Sequence, residues 1–392
     1  MPTNFDEIID RRGTHASKWD MMEANYGVSP EDGLAMWVAD MDFRPPTVVQ
    51  ARLEQMVAHG IYGYFGDAAA TNAAVQWWMR ERHGWEIEPR WIHYTPGVVN
   101  GVAVAIDAFS NPGDGIVVMS PVYHAFGRVI RAAGRQVVEL PLAQSDGRYQ
   151  MDFDTWEARM TGHEKILLLC SPHNPGGRVW TADELRAVGE FCRRHDLILV
   201  SDEIHQDLVF PGAEFLTMDR ADPSLRDRLI VVGATSKTFN IAGQLVGHAI
   251  IPDDALRAKY AGKLKALGIS ANAFGMQMIE AAYSPEGATW VDELIAYLDG
   301  NRRILDEGLN AIPGVRSMPL EATYLGWVDF AGTGIDHDAL LHRVERDARI
   351  AVSHGPTFGY GGEGFLRFNF GTQRARIEDA VRRMQDAFSD LQ

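Results

Sequence analysis

The sequence predicts an α/β protein, with a large domain built on a mostly parallel mixed sheet between helices and a smaller α+β domain. Three observations carry this. The short apolar runs KILLLC (165–170), LILV (197–200) and LIVV (229–232) are each bounded by turn residues, as buried parallel strands are. From about Thr47 to Tyr283 helix and strand patterns alternate, the signature of a parallel sheet. From about Pro285 the alternation gives way to a long helical stretch and then mixed elements. The expected organisation is a large domain at 47–284, with 1–46 and 285–392 supplying an N-terminal arm and the small domain.

The elements follow in order. The first 45 or so residues are rich in turn formers and end at Arg44-Pro45-Pro46, which suits an arm wrapped over the body or packed on the small domain. WIHYTPGVVNGVAVAIDAF (91–109) reads as strand, turn and an apolar helix starting near Val98. IVVM (116–119) is a further strand, followed by Tyr123. After KILLLC comes the turn SPHNPGG (171–177) and then TADELRAVGEFCRRH (181–195). Thr181 followed by Glu184 is a capping box, and Leu185, Val188, Phe191 and Cys192 recur at helical spacing. With LILV next, the unit is strand–helix–strand. Beyond Pro285 the pattern gives a long helix (289–312) stopping at Pro313-Gly314, strand-like TYLGWVDF, helical HDALLHRVERDA, strand-like FLRFNF and a final helix. The glycine-rich segment FGYGGEG (358–364) is the expected mobile loop.

Composition narrows the function. There are 53 acidic and 37 basic residues, a net charge of −16, which disfavours nucleic acid and anionic membranes as partners. The only cysteines, Cys170 and Cys192, lie at a strand end and on a buried helix face, and read as reduced core thiols. No Cys/His spacing suggests a metal site. The N-terminal stretch has no apolar h-region, and no run approaches about 18 apolar residues. A cytoplasmic protein is the expectation.

The three central runs each deliver a polar residue to one rim of the sheet: Asn174, Asp202 and Lys237. In an open α/β sheet the functional crevice lies outside the carboxyl ends of the strands. An amine, a carboxylate and an amide there suit pyridoxal 5′-phosphate (PLP): a Schiff-base lysine, an acid for the ring nitrogen and a donor for the ring hydroxyl. Taken singly, each residue has a plain alternative. Lys237 fits a solvated strand end, Asp202 a helix cap or structural ion pair, and His205 a satisfied structural histidine. Tyr123 fits a core or rim tyrosine as well as one stacked on the ring, and Arg367 fits the solvent face of an alternating strand as well as a substrate carboxylate. Glu203 reads as structural. Gly97, with the amides of Val98 and Val99 at a helix N-terminus, would suit the phosphate, and Ser236 and Tyr64 are further donors.

Over nearly the whole chain these residues resemble the fold-type I PLP enzymes, the aspartate aminotransferase superfamily. The resemblance is closer to the cystathionine β-lyases (C–S lyases) of the MalY/PatB type. It rests on DRRGTHASKWD, MWVADMDF, HGIYGY, TPGVV, PVYHAF, DGRYQMDFD, LLLCSPHNPGGRVW, SDEIHQDL, SKTFNIAG, TYLGWVDF and FLRFN. It implies Lys237 as the Schiff-base lysine, Asp202 on the ring nitrogen, Asn174 and His205 near the ring hydroxyl, and Tyr123 over the ring. It further implies Arg367 on the substrate carboxylate, Ala39 against the substrate, and Tyr64 on the phosphate of a neighbouring subunit, hence a homodimer. The implied reaction is β-elimination from L-cystathionine or a related cysteine S-conjugate, giving a thiol, pyruvate and ammonia. An aminotransferase shares the first steps, and a regulatory protein retaining the fold is a third reading. The chain departs from the family pattern at Thr235, at Ala242-Gly243-Gln244-Leu245 where AGLQ is usual, and at Gly176-Gly177 where SPHNPVG is usual.

Overall fold

The three apolar runs form the centre of a seven-stranded sheet in the computed structural model, which describes residues 3–391. Met1, Pro2 and Gln392 lie outside the described residues, and with them the extreme ends of the expected 1–46 and 285–392 segments. Across the sheet the strands run Ile92–Thr95, Gly247–Ile250, Leu229–Gly233, Ile198–Asp202, Glu164–Cys170, Gly115–Ser120 and Gln136–Pro141. Gly247–Ile250 is antiparallel to both neighbours, and every other pairing is parallel.

The unbroken hydrophobicity of the central strands has a direct cause. Ile166, Leu168 and Cys170 pack on one face with the helix Val98–Phe109, while Leu167 and Leu169 pack on the other. A strand covered on both sides favours apolar residues at successive positions through its centre. The helix Ala182–Arg194 begins with the expected capping box, Thr181 accepting from the Glu184 amide and Glu184 accepting from the Thr181 amide. Leu185, Val188, Phe191 and Cys192 form its buried face.

The second sheet has five strands, ordered Leu34–Met36, Ile350–His354, Phe365–Asn369, Leu325–Asp329 and Arg316–Ser317. The N-terminal segment is therefore more than a wrapping arm. Its strand Leu34–Met36 pairs in parallel with Ile350–His354 and edges the smaller sheet. The long helix runs Pro285–Asn310, and its Leu294, Leu298, Leu305 and Leu309 face the core. The expected helix at 337–348 splits into an α-helical piece, His337–Leu341, and a π-helical piece, His342–Asp347. Gly359, Gly361 and Gly364 in the 358–364 loop all take positive φ, conformations a side chain disfavours.

Candidate active site

Each strand of the central trio ends in a residue or loop of the crevice. Asp202 is the last residue of its strand, Asn174 lies four residues past Cys170, and Lys237 sits on the short helix Thr235–Thr238 after Leu229–Gly233. A parallel sheet puts the carboxyl ends of these strands on the same rim, so residues far apart in sequence converge.

Lys237 is partly buried, and its Nζ donates to the carbonyl of Ala39 at 2.6 Å. Burial pulls the amine down to about 8, below the ordinary lysine range. Asp202 is buried, and its Oδ1 accepts only from the Ile204 amide, at 3.1 Å. Burial pushes this carboxyl up to about 7, against the opposing pull of that amide and of Lys237. A carboxylate held this way is stabilised by an adjacent cation. His205 is buried, with no partner at Nδ1, and burial pushes its imidazole down to about 3. It is a neutral ring with a free nitrogen, not a satisfied structural histidine.

Arg367 belongs to the strand Phe365–Asn369 of the smaller sheet and is 2% exposed, which removes the solvent-face alternative. Its Nη1 donates to Asn174 Oδ1 at 3.0 Å; its Nη2 donates to the Trp37 carbonyl at 2.8 Å and to Ser353 Oγ at 3.1 Å. Nε has no partner, and the guanidinium lies 4.8 Å from the Phe358 ring centroid. Burial pulls it down to about 10, so it remains a cation at neutral pH. Tyr123 caps the helix His124–Ala132. Burial raises its hydroxyl, and the Arg367 charge opposes that rise.

Gly97, at φ 87° and ψ 162°, precedes the helix Val98–Phe109. This backbone is open to glycine alone, and no side chain caps the helix that follows. The amides of Val98 and Val99 thus form an uncapped, positive helix end beside the rim. Ser236 is partly buried next to Lys237. Within one chain Tyr64 is not brought to this cluster: it is fully exposed, in a cleft shared with Tyr62 and Phe274.

Sequence reasoning missed the residues that tie the N-terminal segment into the site. Asn240 takes φ 54°, a left-handed conformation that asparagine tolerates. Its side chain accepts from the Met41 amide and donates to the carbonyls of Met41 and Phe43. Asn369 donates to the carbonyls of Val38 and Asp40. The stretch 37–43 is thereby held between both sheets. The available signal was that SKTFN and FLRFN each end in asparagine. Tyr324, fully buried with its ring edge-on to His205 at 6.1 Å, was likewise unassigned.

The departures from the family pattern find local reasons. Gln244 Nε2 donates to Thr235 Oγ1 at 2.5 Å, bracing the Lys237 turn, while Leu245 projects outward at φ 51°. A Cβ at Gly176 would stand 2.6 Å from the Tyr149 ring and 2.9 Å from His173 Nδ1.

The donor set fits a phosphorylated pyridine aldehyde. It offers an uncapped helix end for the phosphate, a buried carboxyl requiring a cation, an unpartnered imidazole nitrogen and a low-pKa amine. Comparison with known proteins agrees. The model of the family "Aminotransferase class I and II" matches residues 38–384. The chain is 40% identical to cystathionine beta-lyase PatB of Bacillus subtilis, over 98% of this chain and all of that one. It is 32% identical to the protein MalY of Escherichia coli, over 96% and 97% of the two chains. It superposes on cystalysin from Treponema denticola, whose crystal structure contains a pyridoxal 5′-phosphate cofactor, with a TM-score of 0.95 and 35% identity over the full length of both.

Proposed function

The chain belongs to the aminotransferase class I and II family, and from that premise we propose that it is a PLP-dependent carbon–sulfur β-lyase. Its substrate is L-cystathionine or a related cysteine S-conjugate, cleaved to a thiol, pyruvate and ammonia. The observation that carries this choice within the family is the full-length 40% identity to a cystathionine beta-lyase. The division we propose is a cofactor-binding domain at 47–284 around the seven-stranded sheet, with 1–46 and 285–392 around the smaller one.

PLP, when bound, supplies an electron sink that stabilises negative charge at the substrate Cα. The residues do the rest. Lys237 would anchor the cofactor through its amine, and in its neutral form that amine would accept the substrate Cα proton. Asp202, buried at its strand end, would pair with the ring nitrogen and keep a proton on it. Asn174 and His205 would serve the ring hydroxyl, and Tyr123 would pack over the ring. Gly97, Val98, Val99 and Ser236 would hold the phosphate. Arg367 binds the substrate carboxylate, with Asn174 fixing the guanidinium plane and Ala39 bounding the substrate. Loss of the β-thiolate then competes with return of the proton.

Tyr64 reaches the phosphate of a partner subunit, so the working unit is a homodimer. Its full exposure here and the apolar surroundings of Tyr62 and Phe274 support that reading. No helix among the described residues is long and apolar enough to cross a membrane. We place the enzyme in the cytoplasm.

The deciding experiment is release of pyruvate and thiol from L-cystathionine by the PLP-loaded protein without added keto acid. Repeated release of both in equal amounts is expected. A single conversion of the cofactor to its amine form, with no thiol, would instead identify an aminotransferase.

A further inference from the structure

We propose that Asp207 is a positioning residue for Lys237, holding through the hydroxyl of Thr238 the one-turn helix that carries the lysine. The proposal rests on the PLP reading above, because it concerns how the amine meets the cofactor aldehyde.

The helix Thr235–Thr238 is four residues long and has no side-chain cap at its N-terminus. One turn of helix has little stability of its own. Something outside it must therefore set the direction of the Lys237 side chain. In front, Nζ reaches the Ala39 carbonyl. Behind, Thr238 Oγ1 donates to Asp207 Oδ2 at 2.7 Å, both groups being buried. Neighbouring residues on a helix point about 100° apart, so Thr238 enters the body while Lys237 faces the crevice.

Asp207 is itself fixed. Its Oδ1 accepts from Trp78 Nε1 at 2.9 Å and lies 2.8 Å from His83 Nε2. Trp78 stacks on Tyr283 with ring centroids 4.7 Å apart and packs edge-on to Phe239 at 5.4 Å. Burial opposes ionisation of Asp207, but His83, Thr238 and Trp78 outweigh it and hold the carboxyl below its usual range. His248 and Tyr283 are further titratable groups near it. The same stretch starts at Asp202, the end of its strand, and carries His205. One short stretch thus sets both the residues expected at the ring and the anchor of the lysine turn. None of Asp207, His83, Trp78 and Thr238 has a part in the reaction as derived above.

The test removes only the tether. Thr238→Val is nearly isosteric and leaves Trp78 and His83 on Asp207; Thr238→Ser keeps the hydroxyl, and Thr238→Ala repeats the loss with less bulk. Apoprotein is mixed with PLP, and covalent capture is followed by visible absorbance; the neutral amine adds to the aldehyde carbon and water departs. Binding of pyridoxamine 5′-phosphate, which has no aldehyde, is measured in parallel. Thr238→Val and Thr238→Ala should slow capture about tenfold or more and leave pyridoxamine phosphate affinity within about threefold, and Thr238→Ser should restore capture. Capture at the wild-type rate in Thr238→Val, equal loss of both ligands, or no rescue by serine would each overturn the proposal. Wild-type protein that captures no PLP would sink the cofactor reading itself, and this one with it.

Discussion

Nη1 of Arg367 donates to Oδ1 of Asn174 at 3.0 Å, joining residues 193 positions apart. One is a strand residue of the smaller sheet, and the other lies in the turn after a central strand of the larger. The Trp37 carbonyl and Ser353 hydroxyl hold the other end of the guanidinium. The guanidinium plane is thus fixed by the protein's own groups, and Nε is left without a partner.

Arg367→Lys should raise KM for the amino acid about 10- to 100-fold, the loss of charge-assisted hydrogen bonds worth roughly 1.5–3 kcal/mol. An ammonium cannot hold Asn174, Trp37 and Ser353 while also gripping a carboxylate bidentately. Steady-state kinetics check this; an unchanged KM would remove Arg367 from the substrate site.

Asp202→Asn should flatten the pH dependence of apoprotein stability. The native carboxyl lies at about 7 and the unfolded one near the ordinary aspartate value of 3.8. Between these values the native state holds a proton that the unfolded state has shed, so this group's contribution falls as pH rises from about 4 to 7. The shift corresponds to roughly 4 kcal/mol. Denaturant unfolding of both apoproteins at pH 4 and pH 8 should show the variant gaining relative stability at the higher pH. Added PLP should reverse that advantage.

Tyr64 and Lys237 should complement across subunits. Lys237→Ala and Tyr64→Ala proteins, each nearly inactive, form one intact site per mixed dimer when the tyrosine serves the neighbouring subunit. Random reassortment of equal amounts should restore about a quarter of the sites. No recovery, with mixed dimers present, would place Tyr64 outside the partner's site.

Gly176→Val should destabilise the fold by about 1–3 kcal/mol through overpacking. The added Cβ would meet the Tyr149 ring at 2.6 Å. Thermal unfolding measures the loss, and it should shrink in a Tyr149→Ala background, where the ring is gone.

The sequence by itself determined the central strands, the capped helix after them and which polar residues those strands deliver to the rim. The centres of strands such as Glu164–Cys170 and Ile198–Asp202 were legible because burial on both faces favours an unbroken apolar run there. The capping box at Thr181 and the helix start after Gly97 were legible because caps and glycine turns are local. Asn174, Asp202 and Lys237 stood out because each follows such a strand, and parallel strands share a rim.

Only the tertiary structure decided what those residues face. Nothing local shows that Leu34–Met36 edges the smaller sheet, or that Asn240 and Asn369 clamp the stretch 37–43 beneath Lys237. Burial of Arg367 depends on Trp37, Ser353 and Phe358 from distant segments. Tyr64, prominent in its motif, projects away from its own chain's site. Periodicity and capping are set by neighbours a few residues away. Packing, desolvation and the pKa shifts they cause belong to contacts hundreds of residues apart, which no local pattern encodes.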